Sequence, residues 1–232
     1  MKYNPFKRLS KFEWCLWSVS ILVILISSLF TGIEGLLSGC ASLIGVTALI
    51  FVAKGMVTGQ ALTVAFSVLY GIISFAFKYY GEMITYLCMT APMAVFSVVS
   101  WLRHPYKGSD EVEISRLSLK VILGMIFSAV GVTVIFYFVL EALGNANLLV
   151  STLSITTSWL ASYLTFFRSP YYALAYAAND IVLIALWIFA AITDISCLSM
   201  VFCFVMFFAN DIYGFINWKR MQKKQWTANS TQ

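Results

Sequence analysis

The sequence predicts an all-α integral membrane protein of eight transmembrane helices, one N-terminal helix followed by a 3+1+3 parallel-repeat core. Three observations carry this reading. Hydrophobic residues make up 61% of the 232 positions and charged residues only 11%, whereas a soluble globule coats itself with roughly 25% charged residues. Eight apolar runs, at 12–30, 33–53, 60–79, 83–101, 117–140, 148–167, 171–192 and 195–216, have bilayer length, which a helix crosses in about 17–25 residues. The basic residues fall almost wholly on one side of the membrane that these runs imply.

The first run follows Lys2, Lys7, Arg8 and Lys11 and could pass for a signal peptide. It lacks an A-x-A-like cleavage site and a second run follows at once, so a retained helix is expected. The next three runs are joined by short breaks, too short to hold a soluble domain. Backbone in lipid must satisfy itself within its own segment, which makes each run a helix, and the alternating ten-residue strands of a barrel are absent. Pro92 falls inside the fourth run and should kink it; Gly71 and Gly81 should permit close packing. The one long hydrophilic break, 103–116, contains His104-Pro105 and leads into the fifth run. Eight spans put both termini on one side. That side then collects every Lys and Arg except Lys78, so both termini are expected in the cytoplasm, with the chain in the inner (cell) membrane.

The three helices before the fifth run resemble the three after it. Ser100-Trp101-Leu102-Arg103 is echoed by Asn217-Trp218-Lys219-Arg220, and the turn Lys54-Gly55 by Arg168-Ser169. Copies displaced by four helices keep the same orientation, which makes a parallel repeat with any substrate held near the midplane. The expected units are 1–32 (terminus and extra helix), 33–103 (first bundle), 104–143 (loop and linker helix), 144–218 (second bundle) and 219–232 (basic tail).

Several chemistries are excluded. The charge of +5 forms no basic groove with interleaved aromatics, so no nucleic acid is expected. Five cysteines without a C-x-x-C suggest small apolar packing residues rather than disulfides or a zinc site. No phosphate-binding loop is present. His104 reads as a surface residue, and no nucleophile–base pair supports catalysis. Neither an enzyme nor a bound cofactor or metal is expected.

What remains is polarity inside the membrane. Asp180, with Asn179, lies about ten residues into its span, and an ionisable group there is a functional candidate. Asn210-Asp211 interrupts the last run. At ~1.5 Å of rise per residue, Asn179 is ~13 Å from the basic side, Asn210 ~10 Å, Trp159 ~12 Å, and Tyr70 and Thr90 ~16 Å. Five helices therefore offer a polar or aromatic group in one layer. Tyr172, Tyr176, Asn179 and Asp180 share one helical face, which Trp187 continues. Asn210, Tyr213 and Asn217 share another. A pocket needs such convergent polar groups in an apolar lining; alternatively Asn and Asp only bridge helices. Asn217 and Trp218, beside Lys219, fit an interfacial aromatic belt.

Several runs taken together resemble the PnuC-type nicotinamide riboside transporters of bacteria. They are Gly59-Gln60-Ala61-Leu62-Thr63, Leu69-Tyr70-Gly71-Ile72-Ile73-Ser74, Tyr79-Tyr80-Gly81-Glu82-Met83-Ile84-Thr85-Tyr86, Ser100-Trp101-Leu102-Arg103-His104-Pro105, the stretch from Ser169-Pro170 through Asn179-Asp180, and Asn210-Asp211-Ile212-Tyr213-Gly214-Phe215-Ile216-Asn217-Trp218. The resemblance covers about 33–218. It implies a vitamin transporter of the bacterial inner membrane, a fold related to the SWEET sugar transporters, and facilitated diffusion with the substrate trapped by phosphorylation inside the cell. It also implies a role for Gln60. Many members carry a W-x-x-W pair where this chain has the Tyr172–Tyr176 region. The expected partners are nicotinamide riboside or a similar small polar solute and the lipid bilayer; association into a homo-oligomer is compatible with this reading. Two other readings stay open: a facilitator of another solute, such as a sugar or another vitamin, and a membrane subunit that transports nothing.

Overall fold

In the computed structural model, residues 4–29, 32–76, 80–145 and 147–230 are described. A helix forms over each apolar run: α1 (Lys11–Leu29), α2 (Gly32–Ala53), α3 (Val57–Ala76), α4 (Tyr80–Arg103), α5 (Leu119–Ala142), α6 (Leu148–Phe166), α7 (Tyr172–Thr193) and α8 (Leu198–Ser230). Among the described residues, seven of these are long and apolar enough to cross a membrane alone. The exception is α6, whose Ser151, Ser154, Ser158, Ser162 and Thr165 turn one hydroxyl-bearing face inward. Small residues there let neighbouring backbones approach closely, so tertiary packing rather than lipid contact holds it.

Neighbours in sequence are neighbours in space: α1 packs on α2, α2 on α3, α3 on α4, α5 on α6, α6 on α7 and α7 on α8. Three long-range contacts close the bundle, α2 against α8, α1 against α8 and α4 against α6. The linker α5 stays outside, with only 6% of its most apolar stretch buried. Its exposed Phe127, Ile135 and Phe138 belong to the apolar surface that a bilayer covers.

Pro92 acts as expected, through a π-helical stretch rather than a simple bend. A proline lacks an N–H and crowds the carbonyl four residues back. Thr85–Thr90 widens just before it, the usual remedy for a disrupted ladder. The Thr90 hydroxyl donates to the Thr85 carbonyl, five residues back, at 3.2 Å.

The basic loops gather at one end of the bundle. Arg8 pairs with Asp110 at 2.6 Å. Gly55, at φ 67° where a side chain would be strained, accepts at 2.9 Å from the Val112 amide. Arg168 donates to the Glu113 carbonyl and to the Ser100 hydroxyl. Burial lowers its pKa, and the nearby Glu113 opposes that. His104 is exposed, as expected, against Arg168 and the Ser100 carbonyl. Lys78, expected alone on the opposite face, lies outside the described residues.

The last helix does not stop at 216. It continues through the basic stretch to Ser230, 33 residues in all, or about 50 Å at ~1.5 Å per residue. Gln225 explains this. Its side chain accepts from the Ile114 amide at 2.9 Å and donates to the Val112 carbonyl at 3.1 Å, so the 104–118 loop clamps the extension. Of the cysteines, Cys197 and Cys203 pack inside; Cys15, Cys40 and Cys88 are exposed on the bundle surface, against the packing role expected of them. Their apolar helix faces meet lipid, which accepts a thiol as readily as a core does.

Candidate functional site

At mid-depth six helices enclose a small chamber. α7 supplies its polar side, with Tyr172, Tyr176, Asn179 and Asp180; α3 adds Gln60, α4 adds Thr90, α6 adds Ser158 and α8 adds Asp211. Helical spacing explains the α7 contribution, since positions four and seven or eight apart share a face. The apolar side comes from Phe66, Tyr86, Phe204 and Phe207. On α2, Gly45 leaves room for the rings of Phe66 and Phe207, which any side chain would strike.

Each polar group is held differently. The Asn179 oxygen accepts from Thr157 at 2.8 Å and from Ser154 at 3.2 Å, so the amide's NH₂ is its donor toward the chamber. The Tyr176 and Ser162 hydroxyls bond at 3.1 Å. Asp180 and Asp211, both buried, interact directly. No donor from a described residue reaches Asp180 Oδ2. Among the described residues, no Lys, Arg or His lines the chamber. Such a site suits a solute that offers hydroxyls, an amide and positive charge, and opposes an anion.

Aromatic groups close both ends. Away from the basic face, Tyr70 and Tyr86 pack with centroids 4.3 Å apart and planes tilted by 57°, Phe66 and Phe204 flank them, and Trp187 joins the same cluster. Toward the basic face, Tyr172 meets Trp218 at 4.8 Å and Trp218 meets Trp101 at 5.4 Å. These two tryptophans bond in a reciprocal pattern. Trp101 of α4 donates to the Thr165 carbonyl of α6 at 3.0 Å, and Trp218 of α8 donates to the Val52 carbonyl of α2 at 2.8 Å. Trp218 is 0% exposed, so it is a plug and not part of a lipid belt. The chamber measures about 60 Å³, against the 300–1,000 Å³ typical of a ligand site, so this conformation is closed around it.

The sequence-predicted residues therefore divide. Gln60, Thr90, Tyr172, Tyr176, Asn179, Asp180 and Asp211 meet at the chamber. Tyr70 and Trp187 stand just beyond it. Asn210, Tyr213 and Trp159 face elsewhere. Asn210 donates to Ser20 on α1 at 3.1 Å, and the Tyr213 hydroxyl donates to Glu13 on α1 at 2.6 Å. The Trp159 indole donates to Ser128 on α5 at 3.0 Å. Similar depth did not guarantee a common face, because α1 covers one side of α8 and α5 one side of α6. Ser158 and Tyr86 were missed as chamber residues. The Ser/Thr stripe of α6 at three- and four-residue spacing was the signal for the first; the second lies inside a run that carries the family resemblance.

A closed helical bundle with a polar chamber buried inside it is the architecture of a class, the solute-carrying membrane transporters. The chain belongs to the nicotinamide mononucleotide transporter family, whose model matches residues 35–220. It is 26% identical over 193 residues to the nicotinamide riboside transporter PnuC of Neisseria mucosa, covering 81% of this chain and 73% of that one. Its fold matches the crystal structure of the vitamin B3 transporter PnuC with a TM-score of 0.80, at 24% identity and over 94% of both chains. The chain is thus a transporter of the membrane and not an enzyme family member.

Proposed function

We propose that this chain carries nicotinamide riboside into a bacterial cell by facilitated diffusion, with Asp180, Asp211, Asn179, Gln60 and Thr90 as the polar side of the binding site and Tyr172 and Tyr176 as ring contacts. One observation carries this choice of substrate: among the described residues, the chamber lining has two carboxyl groups and no cationic side chain. A phosphate dianion would find repulsion there, whereas a pyridinium riboside brings a positive ring. The two carboxyls cannot both carry a full charge cheaply so close together, and an arriving cation lowers that penalty. The Asn179 NH₂ suits the carboxamide oxygen or a ribose hydroxyl. The name of the Neisseria mucosa relative supports the same substrate.

The carrying step follows from the two plugs. The Tyr70–Tyr86 pair and the Tyr172–Trp218–Trp101 group cannot both be open at once without leaving a pore. Rocking of the bundles at 33–103 and 144–218 against each other would open them in turn. The reciprocal Trp101 and Trp218 bonds support reading these bundles as parallel copies. The π stretch before Pro92, which carries Tyr86 and Thr90, gives α4 a hinge. The gathering of basic loops at one face supports a cytoplasmic location for that face and for both termini. Proteoliposomes loaded with unlabelled riboside test the proposal. Labelled riboside should accumulate by counterflow without any ion gradient; accumulation only under an imposed gradient would overturn the facilitated mechanism, and none under any gradient would overturn the substrate.

A further inference from the structure

A second cavity of about 460 Å³ opens at the face away from the basic loops, within the size range of small-molecule sites. Its walls include Tyr80 and Glu82 of α4, Asn145 of the α5–α6 turn, Ser151 of α6, and Trp187 and Thr193 of α7. Among the described residues, Glu82 is its only carboxylate and no Lys, Arg or His lines it. The side chain is 7% exposed, and Oε2 has no hydrogen-bond partner among the described residues. A buried carboxylate without a partner is costly, so the cavity favours a positively charged occupant. Trp187 and Tyr80 offer aromatic faces, which attract cations further. Asn145, fixed by its bond to Ser151 at 2.8 Å, adds a polar wall. Trp187 of this cavity's wall belongs to the same aromatic cluster as Tyr70 and Tyr86, and Tyr86 also lines the central chamber.

We infer that this cavity is a second ligand site, an outer vestibule where Glu82 holds a flat organic cation before it passes the Tyr70–Tyr86 pair. That the natural cation is a pyridinium rests on the proposed function; that the vestibule binds an aromatic cation does not. Two sites in series explain how a closed chamber is fed. Capture at the vestibule raises the local concentration of the solute at the aromatic gate, and the gate needs to part only when a ligand waits beside it.

The test uses the full-length protein in lipid nanodiscs, titrated calorimetrically with 1-methylnicotinamide, a cation, and nicotinamide, its neutral counterpart. The cation should bind the wild type, and Glu82→Gln should weaken it about tenfold while leaving the weaker binding of nicotinamide unchanged. Leu143→Lys, at an exposed position of the cavity wall, adds a like charge that should also weaken cation binding, and serves if Glu82→Gln does not purify as a monodisperse protein. Equal affinity of the cation for wild type and variant would overturn the vestibule. The two readings fail separately: Glu82-dependent cation binding without riboside uptake would leave the vestibule standing and remove the proposed substrate. Riboside uptake with Glu82-independent binding would do the reverse.

Discussion

Asp180 on α7 and Asp211 on α8 are both buried and line the same small central chamber. Two carboxyls placed together in this way make the chamber favourable to positive charge and unfavourable to an anion. That lining, with no basic group among the described residues, discriminates by ligand charge. Nicotinamide mononucleotide, which carries a phosphate, should compete for riboside binding at least ~100-fold more weakly than the riboside itself, a gap of about 2.7 kcal/mol. Competition against labelled riboside on purified protein measures this. Comparable affinities would mean that the phosphate is accommodated and the charge argument fails.

Asn179 and Asn210 lie at similar depth but in different surroundings, and their alanine variants should differ. Asn179→Ala removes a chamber donor and should weaken riboside binding by about tenfold, near 1.4 kcal/mol. Asn210→Ala removes a bond to Ser20 on α1. It should leave affinity unchanged and lower the thermal stability by ~1 kcal/mol. Affinity and melting measured on both variants separate the roles, and a binding loss for Asn210→Ala with normal stability would return it to the site.

Glu13 is buried on α1, where it accepts from Tyr213 and pairs with Lys54 at 3.2 Å. Tyr213→Phe leaves the carboxylate short of a donor, which costs about 1–3 kcal/mol. Lys54→Met, which strips away its cation, should cost more, about 3–5 kcal/mol. Both variants should melt earlier in detergent and still bind riboside with wild-type affinity. A loss of affinity in Tyr213→Phe at unchanged melting temperature would place its hydroxyl on the ligand instead.

Reporter fusions after Gln232 and within 107–111 should both read cytoplasmic, since the Arg8–Asp110 pair and the Gln225 clamp tie both regions to the basic face. A periplasmic reading from either would invert the direction assigned to the vestibule and the plugs.

The helices were legible because apolar length is a property of each segment alone. The pairing of faces was not, because it depends on what covers each helix. Asp211 and Asn210 show the limit. They are one residue apart, yet a turn of about 100° per residue sends one into the chamber and the other to α1. Asp180 was legible as a chamber residue because an ionisable group at mid-span stands out in an apolar run, and Asn179 stands beside it. Glu82 was not, since at a helix end the sequence looks the same whether the group meets water or a cavity. Trp218 sits beside Lys219 and so resembled a belt residue, and only its bond to Val52 reveals the plug. The length of α8 escaped the hydropathy pattern because Gln225, a polar residue, holds the extension.

The central claim, that the chamber binds a cationic nucleoside through its carboxyl pair, is tested most directly by Asp180→Asn with two ligands. The variant keeps shape and loses charge. Binding of nicotinamide riboside to the purified variant should fall about 10- to 100-fold, in line with ~1.5–3 kcal/mol for a bond to a charged group. Binding of the uncharged reduced riboside should fall several-fold less. Equal losses for the two ligands would contradict the account.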